Sequence, residues 1–428
     1  MSTTIDKVKA AREATSTERD EARELDRQDA LASLRSLFDL PADEIYLDGN
    51  SLGAMPASVG PAMAEALSEG WAKGLIRSWN GRDWHMLPVT VGDRLAPLMG
   101  AKAGEVLAAD STSVNLYKVF CAAMRLRADR TGVISERNNF PTDVHILQGA
   151  IANVFPQARL ALAGDDDESV LALLDADTAV VCLSHVNYRT GRLRNMTRLT
   201  KAAHDAGALV IWDLCHSLGA LPVDLNGCAA DFAVGCSYKY MNGGPGAPAW
   251  LFVASRHLAN AGNPLTGWQG HAAPFAFDVD FAPSATIEKF RVGTPPVLSY
   301  LPLLESLAVF ERTDMETLRA KSLKLTGYFM ELADEKLARH GLEIITPKDE
   351  AERGSQVALT HDDGWPIMQA LIACGVIGDF RAPDILRFGF TPLYVGFEDV
   401  WGAVATLEAI METGLWREPR FAERKLVT

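Results

Sequence analysis

Between residues 105 and 253, short apolar runs alternate with segments long enough to form helices, and this alternation narrows the possible folds more than any other feature of the chain. The runs are apolar on both faces, which is typical of strands covered on both sides. Such strands, separated by helices, indicate an α/β domain with a largely parallel sheet between layers of helix. The predicted strands are Gly132–Ser135, Arg159–Leu162, Ala179–Ser184, Ala208–Asp213, Asp231–Cys236 and Ala249–Val253.

The sequence on either side of this region differs in character. Residues 1 to about 38 predict an amphipathic helical arm, because Leu25, Leu31 and Leu34 recur at helical spacing. Pro295-Pro296 suits a helix start better than a helix interior, so a domain boundary is expected there, before a long helical segment over 297–340. We predict an arm over 1–45, a large domain over 46–295 and a smaller α+β domain over 296–428, against which the arm can pack.

The charge balance and the cysteines restrict the expected partners and compartment. Lys and Arg number 41 against 55 Asp and Glu, so the net charge is −14, and neither nucleic acid nor an anionic membrane surface is an expected partner. The six cysteines show no C-x-x-C spacing, the N-terminus has no apolar signal region, and nowhere do 18 apolar residues run together. These features favour a cytoplasmic enzyme with reduced thiols.

Two polar residues end neighbouring predicted strands, at the edge where open α/β sheets bind their ligands. Asp213 ends one run, and Lys239 follows the next run and enters a Gly-rich turn. A partly desolvated lysine can form a Schiff base, and a carboxylate can hold the ring nitrogen of pyridoxal phosphate protonated. The pair indicates a pyridoxal phosphate site, although Asp213 alone also suits a helix N-cap and Lys239 alone a solvated surface position.

Two further segments could complete such a site. His216 could orient Asp213; a metal site at this segment is disfavoured, because no second ligand cluster has zinc-like spacing. Thr112 and Ser113 precede an apolar helical pattern, where they could bind a phosphate or merely cap the helix.

Two further features of the sequence also bear on ligand binding. Phe140 lies on a Pro-stiffened turn, where it could cover a flat cofactor ring, with Asp143 near the polar edge of that ring. Arg387 lies within an apolar run, where it could bind a ligand carboxylate or form an internal salt bridge.

Taken together and in this order, these segments resemble the kynureninase family, within the fold-type-I (aspartate aminotransferase-like) superfamily of pyridoxal phosphate enzymes. The resemblance implies a large domain with a mostly parallel sheet of the seven-stranded type and a smaller α+β C-terminal domain. The matching segments, within roughly residues 45–395, are Gly49-Asn50-Ser51-Leu52-Gly53, Ser113-Val114-Asn115-Leu116, Phe140-Pro141-Thr142-Asp143, Asp213-x-x-His216-Ser217, Ser237-Tyr238-Lys239-Tyr240, Asn242-Gly243-Gly244, Gly267-Trp268 and Arg387-Phe388-Gly389.

The resemblance also implies a role for each matching residue. Lys239 would carry the cofactor and move protons, Asp213 would pair with the ring nitrogen, and Tyr238 would bind the phosphate with Thr112 and Ser113. As a phenol beside the phosphate, Tyr238 is also a candidate proton donor. The remaining cofactor contacts would be Phe140, Asp143, Ser184 and His216, with Trp268 and Thr294 supplied by the partner subunit of a homodimer. The substrate contacts would be Arg387 at the carboxylate and Trp79 and Ser51 near the aryl end.

The implied reaction is the hydrolysis of L-kynurenine to anthranilate and L-alanine. Trp79 stands where animal relatives have a histidine, and Thr294 stands where they have an asparagine. Because Trp79 offers an apolar edge, kynurenine is expected to be preferred over 3-hydroxykynurenine.

Two other functions are compatible with the same residues. A cysteine desulfurase or selenocysteine lyase shares the Asp213 and Lys239 arrangement, but a desulfurase needs an exposed reactive cysteine in its C-terminal half. Cys374, the only cysteine after Cys236, lies in an apolar run. A binding protein that has lost turnover is the second alternative, although every residue that the chemistry needs is present.

Overall fold

The computed structural model describes residues 4–13 and 16–424 and divides the chain into two compact units. The larger unit comprises Ser58–Tyr188 and Arg194–Ala308; the smaller comprises the described residues up to Ala57, Arg189–Leu193, and the described residues from Val309 onward. Of the predicted arm, residues 1–3 and 14–15 lie outside the described residues, as do residues 425–428 of the predicted C-terminal domain.

The described residues form both strands and helices. The strands are β1 (Phe38–Asp39), β2 (Ile45–Tyr46), β3 (Met55–Pro56), β4 (Val106–Ala108), β5 (Gly132–Glu136), β6 (Arg159–Ala163), β7 (Thr178–Ser184), β8 (Leu209–Asp213), β9 (Phe232–Gly235), β10 (Trp250–Val253), β11 (Glu343–Ile344), β12 (Gln356–Thr360), β13 (Val376–Ile377), β14 (Asp379–Arg381) and β15 (Ile385–Gly389). The α-helices are α1 (Thr4–Glu13), α2 (Thr17–Arg27), α3 (Val59–Glu65), α4 (Ser78–Gly81), α5 (Leu87–Leu95), α6 (Thr112–Leu126), α7 (Pro141–Asn153), α8 (Asp167–Leu171), α9 (Met196–Asp205), α10 (Ser255–Leu258), α11 (Val297–Phe310), α12 (Met315–Lys336), α13 (Gly364–Ala373) and α14 (Phe397–Thr413).

The larger unit is built on a seven-stranded sheet in the order β4-β10-β9-β8-β7-β5-β6. Strands β5 to β9 are parallel to one another, whereas β10 runs antiparallel to both β9 and β4. The prediction of a mostly parallel sheet is confirmed, and all six predicted strands are present within two residues of their predicted bounds. Ser184 and Asp213 are direct partners in the β7–β8 ladder, so the polar ends of these strands share one edge.

Helix α6 shows why this sheet is buried. Its apolar residues Leu116, Val119 and Phe120 are fully buried in the same core cluster as the strand residues of β8 and β9. Each such side chain stabilises the fold by about 1.5–3 kcal/mol relative to exposure. The side chain of Ser111 caps the helix by accepting a hydrogen bond from the amide of Val114, so the helix begins at the sheet edge where the strands end.

The smaller unit contains a four-stranded antiparallel sheet in the order β11-β12-β15-β14 and a parallel pair of β2 with β13. Helices α1, α2 and α12 pack against α14, and Arg19 and Arg23 both donate to Glu398 at its start. The helical segment predicted over 297–340 is interrupted after α11, where Asp314 accepts the amide of Thr317 and starts α12. Within the described residues, no helix is both long and apolar enough to cross a membrane.

Candidate active site

Nine predicted cofactor residues meet in one cavity of the larger unit. Its volume is about 390 Å³, which lies within the usual range for small-molecule sites. It opens where β7 and β8 end and where α6 begins, because parallel strands bring their carboxyl ends to one edge. The predicted residues that line it are Thr112, Ser113, Phe140, Asp143, Ser184, Asp213, His216, Tyr238 and Lys239.

Lys239 lies at the centre of this cavity. Its Nζ is 2.9 Å from Nε2 of His216, and it lies 5.8 Å from the centroid of the Phe140 ring and 5.9 Å from that of Tyr238. An amine among two rings and an imidazole is partly withdrawn from water, as a nucleophile toward a carbonyl needs to be. The solvated surface position that was the alternative for Lys239 is therefore not what the fold provides.

Asp213 ends β8 beside the amine. One oxygen, Oδ1, accepts the amide of Cys215 at 2.7 Å, so the carboxylate also shapes the turn that follows the strand. His216 was expected to orient Asp213; the structure places its Nε2 on Lys239. Both residues remain at the cavity wall, where the carboxylate can meet a cationic ring nitrogen.

Asp143 is fully buried at the same wall. Among the described residues, neither of its carboxylate oxygens makes a hydrogen bond of good geometry, although the side chains of Asn139 and Asp213 lie close enough to shift its pKa. Burial, and then the neighbouring Asp213 carboxylate, raise the pKa of Asp143 well above its ordinary value. A buried polar group without a good hydrogen bond is costly, so this carboxyl fits a polar substituent of a bound ligand.

The opposite end of the cavity is formed by the start of α6. Ser111 is the cap, which leaves Thr112 and Ser113 to line the cavity. Ser113 Oγ lies 2.9 Å from Thr142 Oγ1, so hydroxyl groups and the free amides of a 15-residue helix are collected there. Such a helix start attracts a phosphate. With Lys239, Asp213 and the buried Asp143, the residues present fit pyridoxal phosphate.

Arg387 belongs to a buried ionic cluster in the smaller unit. Its Nε donates to Asp379 Oδ1 at 2.8 Å, and its Nη2 donates to Ser51 Oγ at 2.9 Å. Ser51 also donates to Asp379, at 2.9 Å, and Arg381 donates to the same carboxylate at 2.6 Å. The internal salt bridge that was left open as an alternative is thus present, and Ser51 is part of it.

Five predicted residues do not line the Lys239 cavity of the single chain: Arg387 and Ser51, which belong to the ionic cluster just described, and Trp79, Trp268 and Thr294. Trp79 lies in an apolar cleft of about 660 Å³, with its ring edge-on to Trp84 at 6.2 Å. Trp268 packs edge-on against Phe275 at 5.8 Å, and Thr294 is exposed. Among the described residues, no group of three or more His, Cys, Asp or Glu side chains is placed to hold a metal ion.

The sequence analysis missed several residues of the site. Tyr188 lines the cavity and packs edge-on against Phe140 at 5.2 Å, and Cys215 lines it between Asp213 and His216. Glu136, the last residue of β5, accepts the amide of Ser184 behind the wall. The signal that could have found Glu136 and Tyr188 is the same as for Asp213, because each lies at or shortly after the end of a predicted strand.

Known proteins similar to this chain decide which family it belongs to. A family model for the kynureninase C-terminal domain matches residues 318–407. A kynureninase of Burkholderia pseudomallei is 50% identical over 414 residues, which are 96% of this chain and 99% of that protein. A kynureninase of Pseudomonas fluorescens is 46% identical over 416 residues, 96% of this chain and 100% of that protein. The chain belongs to the kynureninase family.

Solved structures add the fold. A C-DES variant, described with glycine covalently linked to its PLP cofactor, has a TM-score of 0.76 at 16% identity and covers 87% of this chain and 98% of its own. A cysteine desulfurase of Escherichia coli has a TM-score of 0.75 at 17% identity, with 90% and 98% covered. At such identities only the fold is shared. For this kynureninase family member, the predicted fold class, enzymatic nature and pyridoxal phosphate cofactor are confirmed.

Proposed function

We propose that this protein hydrolyses the Cβ–Cγ bond of L-kynurenine, giving anthranilate and L-alanine in tryptophan degradation. The observation that carries the proposal is the convergence of Lys239, Asp213, Phe140 and Asp143 on one cavity, in a chain that is 50% identical to a kynureninase. The bound cofactor supplies an electron sink for bonds broken at the amino acid. The rest of the mechanism concerns what the residues of this chain do.

Lys239 is proposed to carry the cofactor and to move the proton at Cα of the substrate. Its amine needs a neighbour that accepts or returns a proton, and His216 Nε2 lies 2.9 Å away. The carboxylate of Asp213 is proposed to hold the ring nitrogen protonated. Asp143, whose raised pKa favours its neutral form, is proposed to donate a hydrogen bond at the polar edge of the ring.

Tyr238 is proposed to donate a proton during bond cleavage. The neighbouring Cys236 sulfur, and then burial, raise the pKa of the Tyr238 phenol, so the phenol stays protonated and can act as an acid. Water adds to the γ-carbonyl carbon of the substrate, the Cβ–Cγ bond breaks to release anthranilate, and the proton on Cβ of alanine comes from such an acid. Tyr238, Thr112 and Ser113 are also proposed to bind the phosphate.

We propose that the protein is a homodimer in which Trp268 and Thr294 reach the partner's phosphate site. Apolar side chains that a lone chain would leave in water support this assembly: Ile76 is 76% exposed, Phe277 78% and Val279 95%. The exposed rings of Trp268, Phe275 and Phe277 contact one another in series, and contiguous exposed apolar surface of this kind often marks an interface. A gel-filtration and light-scattering mass of one chain at micromolar concentration would contradict the dimer.

Arg387 is proposed to bind the substrate carboxylate, and Trp79 to lie near the aryl end. Ser51, which was expected near the aryl end, accepts a hydrogen bond from Arg387, so we propose that it acts at the carboxylate instead. The apolar edge of Trp79 supports a preference for kynurenine over 3-hydroxykynurenine. We place the protein in the cytoplasm because its six cysteines are free thiols, and we expect no nucleic acid or membrane partner because of its −14 charge.

A cysteine desulfurase is the second candidate, because desulfurases share the fold. Such enzymes need a reactive thiol, but Cys374 is fully buried, and burial raises its pKa to about 11. The structure therefore favours kynurenine hydrolysis over sulfur transfer.

The test is to record the absorption spectrum of the purified protein, add L-kynurenine and follow anthranilate fluorescence. We expect a yellow protein that forms anthranilate and alanine, and a Lys239→Ala variant that loses both colour and activity. Lys201→Ala is the matched control, since Lys201 is an exposed helix residue. A yellow protein that is inert toward kynurenine but releases sulfide from cysteine would favour the second candidate; a colourless one would contradict the role of Lys239.

A further inference from the structure

A layer of hydrogen bonds lies directly behind the cofactor cavity. Glu136 ends β5 and Ser184 ends β7, two neighbouring parallel strands. Glu136 Oε1 accepts the amide of Ser184 at 2.6 Å, while Oε2 accepts Nη2 and Nε of Arg194 at 2.7 and 3.1 Å. All three residues are at least nine-tenths buried. The end of β7 is therefore held in place by an ion pair that does not itself line the cavity.

Asn139 connects this layer to the cavity wall. Its Oδ1 accepts the backbone amide of Phe140 at 2.7 Å and the hydroxyl of Ser184 at 2.8 Å. Asn139 is 4% exposed and does not line the cavity, whereas both of its partners do. One buried amide oxygen thus links the turn that presents the Phe140 ring to the end of β7.

The position of the Phe140 ring depends on the turn that carries it. The residue is 41% exposed and stands just before Pro141, which starts α7. Its ring packs edge-on against Tyr188, and its amide is held by Asn139. Without the second contact, the turn could move relative to β7 by the fractions of an ångström that separate a stacked ring from a loose one.

We propose that Asn139 is a positioning residue for the cofactor. It holds the turn that carries the Phe140 ring at a fixed distance from the end of β7, and it is itself held through Ser184 by the Glu136–Arg194 pair. The inference rests on the proposed place of Phe140 over the cofactor ring. It does not depend on the identity of the substrate, so it is tested by cofactor binding and not by anthranilate release.

The test uses full-length apoprotein and pyridoxal phosphate alone. For Asn139→Ala we expect the dissociation constant for pyridoxal phosphate to rise about tenfold, as the loss of one or two buried hydrogen bonds implies. The visible circular dichroism per bound cofactor should fall as well, because it reports the asymmetry of the groups around the ring. The matched control is Asn138→Ala, whose side chain binds only Asp165 near the surface.

Two more variants keep the test decisive. Phe140→Ala should lower the circular dichroism at least as much as Asn139→Ala; if it does not, the proposed place of Phe140 fails and the inference with it. An Asn139→Ala protein whose affinity and circular dichroism match those of Asn138→Ala would overturn the positioning role while leaving the proposed function intact. Should Asn139→Ala not fold, Ser184→Ala cuts the same link, and an unchanged circular dichroism there would overturn the inference too.

Discussion

Two buried arginine–carboxylate pairs, one in each unit, differ in how their charges balance. In the larger unit, Arg194 pairs with Glu136, and its other donors reach Asp167 and the carbonyl of Gly164. In the smaller unit, Asp379 serves two guanidinium groups, those of Arg387 and Arg381. Burial opposes it, but Arg387 foremost and then Arg381 hold the pKa of Asp379 below its usual value.

In the smaller unit, the carboxyl of Asp48 makes the balance of charge around Asp379 depend on pH. Burial, and then Asp379, raise the pKa of Asp48 to about 7, so below that pH two cations face one anion. A buried excess of positive charge is costly unless an anion arrives. The Arg194 pair is therefore balanced without a ligand, whereas the Arg387 cluster, while Asp48 is protonated, has one positive charge that a substrate carboxylate would neutralise.

The largest effect on stability is expected at Arg194. We expect Arg194→Met to lower the free energy of unfolding by about 3–5 kcal/mol, because it leaves Glu136 buried without its cation. Urea denaturation followed by fluorescence measures this. The double variant Glu136→Gln with Arg194→Met should recover part of the loss, and a single variant as stable as the wild type would contradict the structural role of the pair.

The variant Asp48→Asn tests whether the charge balance of the smaller unit depends on pH. The folded-state pKa of Asp48 is raised, so its contribution to stability is fully present below about pH 4 and is lost as the pH rises through about 7. The stability of the wild type relative to Asp48→Asn should therefore fall by about 2 kcal/mol between pH 5 and pH 8. Parallel urea curves for the two proteins at both pH values would show that Asp48 ionises freely.

Arg387→Lys tests the excess charge directly. Lysine keeps the charge but loses the two-pronged geometry, so we expect KM for kynurenine to rise about tenfold with a smaller change in kcat. Steady-state anthranilate formation measures both constants, and bound cofactor is checked by absorbance. An unchanged KM would assign Arg387 to structure alone, like Arg194.

The smallest effect is expected at Arg381. Its side chain is 35% exposed, so its pairing with Asp379 is partly screened and worth about 0.2–1 kcal/mol. Arg381→Met should therefore change KM by less than about fivefold. If Arg381→Met exceeds Arg387→Lys in its effect on KM, Arg381 and not Arg387 is the main carboxylate contact.

Much of the fold and part of the site could be predicted from local sequence. Six of the seven strands of the large sheet were predicted, because a doubly covered strand is apolar on both faces over four to six consecutive residues; the three-residue β4 was missed. Asp213 and Lys239 were predicted because parallel strands bring their carboxyl ends to one edge of the sheet. A residue at or just after the end of a predicted strand can therefore be assigned to the edge where ligands bind. Glu136 also lies at the end of a strand but was missed. The sequence gives no indication that its carboxylate accepts the amide of Ser184, because that hydrogen bond depends on the pairing of two strands.

What the sequence by itself determined is the family resemblance, six of the seven strands of the large sheet and the candidate residues for a pyridoxal phosphate site, because these depend on short patterns of residue type. Only the tertiary structure decided the partners: Lys239 with His216, Asn139 with Ser184, and Arg387 with Asp379 and Ser51, which is 336 residues away. It also decided that Trp79, Trp268 and Thr294 lie outside the Lys239 cavity of a single chain. The physical reason is that a hydrogen bond needs its atoms within about 3 Å, and that closeness comes from strand register and packing between distant segments.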